Sequence, residues 1–159
     1  MSDPAVPTGV LGTSLALVHG DFVLASPDGS PALDLALVSG QANFVQAMSV
    51  MIGTPFGSDP ININYGLDVA SIFTVANKVQ SIKDVIRLNL VKSLAADDRV
   101  REINDIVFDD EPDFAALAPD LVGGDPGASA RRTRQWHAVA LLTTVTSDQQ
   151  RVIVSGATP

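Results

Sequence analysis

No cysteine occurs among the 159 residues, which excludes disulfide staples, thiolate metal sites and cysteine nucleophiles together and leaves the redox compartment open. Stability must come from packing or from partners. Aromatic residues make up only 5% of the chain, and ten Lys and Arg stand against eighteen Asp and Glu, a net charge of -8. A diffuse basic field that would collect phosphates is therefore missing, and direct nucleic-acid binding is disfavoured. No apolar run approaches the ~18 residues that a membrane span needs, and the opening MSDPAVPTGVLGTSLALVHGD has neither a basic n-region nor a long apolar h-region. A soluble chain with no secretory signal and no membrane partner is the expectation.

What is present fits one globular domain. A hydrophobic fraction of 46% with 18% charged residues is enough, at this length, to bury roughly 70% of the surface of the unfolded chain. Residues 1–20 are rich in Pro, Gly, Ser and Thr and read as an extended or partly disordered arm. DFVLA (21–25) and ALDLALV (32–38) flank SPDGSP, whose Asp28-Gly29 is a turn dipeptide, so a β-hairpin is expected. A helix over 40–53 follows, with Ser39 as its N-cap and Phe44, Val45, Met48, Met51 and Ile52 on one face. Gly53, Thr54-Pro55, Gly57, Pro60 and Asn62 to Asn64 then build a shaped loop that closes at Tyr65-Gly66.

The strongest periodic signal runs from Lys78 to Ala96, where Val79, Ile82, Ile86, Leu90 and Leu94 form one helical stripe. Leu88 and Val91 project away from that stripe and imply a second contact surface. VREINDIVF (100–108) has strand composition, with broken alternation between Ile103 and Ile106 that marks a bulge or a change of structure. DDEPDFAALAPDLVGGDPGASARRTR (109–134) reads as a solvated excursion interrupting a sheet. QWHAVALLTTVT (135–146) and RVIVS (151–155), joined by SDQQ, complete a β-hairpin of buried composition. The fold class is α+β: a small sheet packed with two main helices and ending in a C-terminal β-hairpin, with residues 21–159 as a single domain.

Chemistry-bearing motifs are scarce. GxGxxG, a Walker-type loop, HExxH and GxSxG are all missing, and His19 and His137 stand far apart, the first read as a loop residue and the second as a side chain on the polar face of a strand. Glu102, Asp105 and Glu111 offer carboxylates for a glycosidase-like pair, but such catalysis depends on a fixed separation in space that sequence does not give. The run Asp109, Asp110, Glu111 and Asp113 lacks the alternating ligands and central Gly of a calcium loop and reads as a solvated face. Arg131, Arg132 and Arg134 are read as partners for the acids upstream or for another protein. No catalytic residue, metal ligand or cofactor is nominated.

The order of pieces is more informative. GDFVLASPDGSPALDLALVSGQANFVQAMSVMIGTPFGSDPININYGLDV resembles the baseplate wedge, or sheath-initiator, family of contractile phage tails and related injection machines, through Asp34, Leu35, Val38, Ser39, Gly40, Gln46, Thr54, Gly57, Tyr65 and Gly66. Where that family carries an acidic-Pro-Arg signature after its long helix, this chain has Asp97, Asp98 and Arg99. The resemblance covers roughly residues 21–108 and, loosely, the last hairpin. It implies a structural virion protein of the inner baseplate that joins wedge proteins near the tube and hub and initiates sheath polymerisation by accepting strands of tail sheath subunits. It also implies a location in the tail baseplate, with host cytoplasm during assembly, and a non-enzymatic role.

On that reading the partner-binding residues are Asp97, Asp98, Arg99, Leu88, Val91, Trp136, Val139, Leu141, Val152 and Val154, with Arg99 pairing to carboxylates of a neighbouring chain and the 136–155 sheet completed in trans. The alternatives are a small muralytic, lysozyme-like hydrolase and a generic soluble interaction module. An exposed helix-end Arg99 beside Asp97, and an edge covered by the chain's own excursion or N-terminal arm, are the corresponding alternatives for the surfaces.

Overall fold

The computed structural model describes residues 9–26, 29, 32–69, 79–121 and 135–157. The chain is an α+β protein whose contacts divide into two compact units, residues 1–47 and 48–159.

The first unit is built from six very short strands: β1 (Thr13–Leu15), β2 (Leu17–Val18), β3 (Asp21–Phe22), β4 (Leu24–Ala25), β5 (Asp34–Leu35) and β6 (Leu37–Ser39). They pair antiparallel as β1 with β6, β2 with β3 and β4 with β5. Three two-stranded arms result, and the residues between them close a ring of backbone hydrogen bonds. Ala16 N–H donates to Ala36 O at 2.8 Å, Ala36 N–H to Val23 O at 2.8 Å, and Val23 N–H to Ala16 O at 3.1 Å. Each arm is too short to be stable alone, so the ring and the following helix must hold all three.

That helix, α1 (Gly40–Gly53), starts directly from β6. Ser39, expected to cap it, is the last residue of β6 and pairs with Thr13, while Gly40 N–H donates to Gly12 O at 3.1 Å. Two polar side chains one turn apart fasten α1 to the first arm. Asn43 donates to Leu11 O at 2.7 Å and accepts from Ser14 Oγ at 2.6 Å. Gln46 accepts from Leu17 N–H at 2.8 Å and donates to Leu15 O at 2.8 Å and to Ser14 Oγ at 3.2 Å. Within residues 9–20 the chain is largely extended, and backbone groups from Leu11 to Leu17 are paired by α1 or by another strand.

In the second unit, α2 (Val79–Ala95) leads through a tight turn into β7 (Val100–Phe108), which pairs antiparallel with β8 (Gln135–Thr144), which in turn pairs with β9 (Gln149–Ala157). The broken alternation in β7 corresponds to two register shifts, Val100/Glu102 and Ile103/Asp105. Both faces of this sheet bury apolar side chains. On one, Ile86, Leu90 and Leu94 of α2 are buried, as are Ile106, Phe108, Ala138, Ala140, Leu142, Val152 and Val154. Lys83 and Arg87 of α2 lie over the Phe108 ring, 5.4 and 5.2 Å from its centroid, which fixes the helix to that side.

On the other face the beginning of the excursion folds back. The short helix α3 (Phe114–Leu117) buries Phe114 and, just after it, Ala118 against Val107 and Val139, with Leu117 and Leu141 at the margin. The excursion is solvated over most of 109–121, as expected, but it is anchored to the sheet through the buried Asp109, Phe114 and Ala118. Asp109 is buried and bonded to the backbone N–H of His137 at 3.3 Å, Lys83 pairs with Asp109 at 3.8 Å and with Asp110, and Arg87 holds Glu111 at 2.6 Å. The first three acids of the run are paired by two cations of α2. The expected partners Arg131, Arg132 and Arg134 lie outside the described residues, as does the Asp28 half of the predicted turn.

Candidate interaction site

The loop after α1 and the turn after α2 come together into one site. A lone bridge, Pro55 to Leu67, clamps the loop shut: Leu67 N–H donates to Thr54 O at 2.8 Å and Phe56 N–H to Leu67 O at 3.0 Å. Within it, Ser58 and Asp59 make the side-chain-to-backbone bonds typical of turns, Ser58 Oγ to Pro55 O at 2.7 Å and Ile61 N–H to Asp59 at 2.8 Å. The closing strand is then laid along α2, where Asn89 donates to Asp68 O at 2.7 Å and Ser93 Oγ to Gly66 O at 2.8 Å. Gly66 sits at φ +106°, and a Cβ there would lie 2.4 Å from Thr54 O. Tyr65-Gly66 is thereby explained as the point where two backbones touch, which only glycine permits.

Beyond the end of α2, Arg99 grips Asp97 with two parallel bonds, Nε to Oδ1 at 2.9 Å and Nη2 to Oδ2 at 2.7 Å, and its backbone N–H bonds the same carboxylate at 2.9 Å. The guanidinium hydrogen bond holds the Asp97 carboxyl below its ordinary range and outweighs the opposing effect of burial. The Tyr65 phenol is pushed up, first by burial and then by the Asp97 charge. Tyr65, Asp97 and Arg99 are one electrostatic group, joining the shaped loop to the turn after α2. Arg99 O also accepts from Val145 N–H at 3.0 Å, which ties that turn to the β8–β9 connection. The Nε–Nη2 edge of Arg99 is therefore engaged within its own chain by Asp97. Asp98, between them, is exposed.

The remaining candidate residues separate by position. Leu88 and Val91 of α2 are exposed, at 55% and 37%, as their departure from the buried stripe requires. Trp136, Val139, Val152 and Val154 are buried, and Leu141 packs at the edge of the Phe114 cluster. These five side chains belong to the core, and Trp136, Val139 and Leu141 lie on β8, the middle strand of three. A partner strand can reach only β7 or β9.

Those two edges differ. β7 carries Arg101, Glu102 and Asp105 and two register shifts, the devices by which natural sheets block further pairing. β9 has the sequence QQRVIVSGA: nine regular residues, one charge and no proline. Among the described residues it pairs only with β8, although the Arg151 side chain reaches back to Leu117 O. Comparison of the chain with protein-family models, with curated proteins and with solved structures finds no match.

Sequence reasoning missed the load carried by Asn43 and Gln46. The signal available was two amides three residues apart on a helix whose other face was already fully apolar. It also missed Lys83 and Arg87, whose spacing of four places both cations over one aromatic ring.

Proposed function

We propose that this protein is a structural component of the baseplate of a contractile phage tail or related injection machine, joining wedge proteins near the tube and starting sheath polymerisation by accepting a sheath strand at β9. The observation that carries the reading is the contrast between the guarded β7 edge and the regular, nearly uncharged β9 edge. An open edge of that kind is an aggregation hazard unless a partner covers it, and strand addition supplies backbone hydrogen bonds that depend little on side chains. Such a mode suits a polymer in which every ring accepts the same arm. The resemblance in the order of strand, Gln-bearing helix, shaped Tyr-Gly loop and long helix supports the same assignment.

Asp97, Arg99 and Tyr65 act in this proposal as a rigid joint that sets the loop against α2, and Leu88 and Val91 are the apolar contacts offered to a wedge protein. Hydrogen exchange on the purified protein with and without sheath subunits tests it. The expected result is slow exchange along 149–157 that appears only when sheath is added. Equal protection of β9 in both samples, or turnover of peptidoglycan by the purified protein, overturns the assignment.

A further inference from the structure

The register of the C-terminal sheet fixes which backbone groups β9 leaves open. In an antiparallel pair, directly opposite residues alternate between those that exchange both backbone hydrogen bonds and those whose backbone groups point away. Asp109 N–H donates to His137 O at 3.0 Å, so His137 and the residues in step with it on β8 turn their backbone toward β7. Thr144 N–H donates to Asp148 O at 3.0 Å across the hairpin. On β9 the residues in step with Asp148, namely Gln150, Val152, Val154 and Gly156, therefore spend their backbone groups on β8. Arg151, Ile153 and Ser155 point theirs outward, where no strand among the described residues meets them.

The same alternation sorts the side chains. Val152 and Val154 stand in line with Ala140 and Ile106, and with Ala138 and Phe108, and both are buried. Arg151, Ile153 and Ser155 share the other face with Leu141, Val139 and His137, the face on which Phe114 packs. Val139 is 0% exposed, yet Ile153 directly opposite it is 41% exposed, so the cover of that face stops between the two strands. Arg151 is exposed and donates through Nη1 to Leu117 O. It is the one charged residue of β9, and among the described residues no carboxylate pairs with it.

We propose, resting on the reading of β9 as a strand acceptor, that Arg151 chooses the occupant: the strand taken carries an Asp or Glu opposite Arg151 and an aliphatic residue opposite Ile153. Open backbone N–H and C=O groups at every second residue are met by another extended backbone. An aliphatic side chain opposite Ile153 completes a burial that α3 leaves half done. Because the rest of β9 is uncharged, a single acid sets the register. A slip of two residues carries it to Ile153 or Gln149 and forfeits the pair, and a slip of one turns it to the face of the buried valines. A second copy of β9 fits less well. The symmetric pairing centred on Ile153 sets Arg151 opposite Ser155, without a counter-charge, and brings together two chains of net charge -8.

The test uses the full chain and a fluorescent peptide carrying Thr-Val-Ile-Val-Glu between polar flanks, in which antiparallel docking sets Glu opposite Arg151 and Ile opposite Ile153. A second peptide has Lys in place of Glu. Anisotropy reports binding, hydrogen exchange locates it, and sedimentation reports self-association. The expected result is that the Glu peptide slows exchange at Arg151, Ile153 and Ser155 and binds about fivefold more tightly than the Lys peptide, the scale of a cross-strand charge pair. Arg151→Glu reverses the order of the two peptides, an exchange that structural damage cannot produce, and Arg151→Gln binds both alike. Equal binding of the two peptides at β9 of the parent overturns the choice by Arg151 and leaves strand acceptance standing. No slowing at β9 with either peptide, or slowing that comes with protein concentration alone, overturns both.

Discussion

Replacing Gly66 by alanine should damage this protein more than any other single-methyl addition in the loop. The new Cβ would lie 2.4 Å from Thr54 O, 2.9 Å from Pro55 C and 3.0 Å from Phe56 N. All three are backbone atoms, which have no rotamer to escape into. A non-glycine residue held at φ +106° adds strain of about 1–3 kcal/mol. Relief of the overlap requires the two segments to part, weakening the Leu67 N–H bond to Thr54 O and the Phe56 N–H bond to Leu67 O, each worth about 1 kcal/mol net. The combined loss is about 4 kcal/mol. With a urea m-value of about 2 kcal/mol/M, the unfolding midpoint should fall by about 2 M at unchanged m. Gly53→Ala is the control: it ends α1, its added methyl meets nothing within 4 Å, and it should be neutral or stabilise by up to about 1 kcal/mol. If Gly66→Ala costs less than about 1 kcal/mol, or no more than the control, the close-approach account of the Tyr-Gly loop is wrong.

Two further expectations come from the polar contacts. The Asp97 carboxyl is held below its ordinary value by Arg99, so its contribution is complete at neutral pH and is lost as pH falls through the lowered folded value. Asp97→Asn should cost about 1 kcal/mol at pH 7, a modest figure because the pair is partly solvated, and parent and variant stability curves should converge in acid as pH falls through the lowered folded value; a constant gap would show that the pair's effect is not ionic. Gln46→Ala leaves Leu17 N–H and Leu15 O without their side-chain partner, and should cost about 1–3 kcal/mol with faster amide exchange at Leu17, an outcome absent if water replaces the amide freely.

Helical periodicity was legible because it is local. The stripe of Ile82, Ile86, Leu90 and Leu94 located α2 within a residue at either end, and the 40–53 helix and the 100–108 strand match their sequence limits. The arms were not legible because their pairings are non-local and only two or three residues long. ALDLALV reads as one strand, yet it changes partner at Ala36, where β5 on β4 gives way to β6 on β1. Thr13 to Leu15 gave no strand signal because its partner lies more than twenty residues away. The joint between Tyr65 and Asp97–Arg99 was half legible: each piece was conspicuous, but their meeting depends on how the loop docks on α2. The burial of Trp136, Val139, Val152 and Val154 was hidden for a different reason, since an apolar strand composition suits a core and an interface equally.

The ring formed by Ala16, Val23 and Ala36 separates the centre of the first unit from its periphery. The β2–β3 arm ends in His19-Gly20, both at positive φ, a two-residue reversal whose twist suits the strands that it joins. Because each arm radiates from a closed hub, extra residues at such a tip lengthen one spoke and leave the other two in register. A residue inserted at the hub would instead shift the alternation of the two spokes that it joins. Length is therefore free to vary at the rim and fixed at the axle, so the reach of this unit toward its surroundings can be altered without rebuilding the part that holds it together.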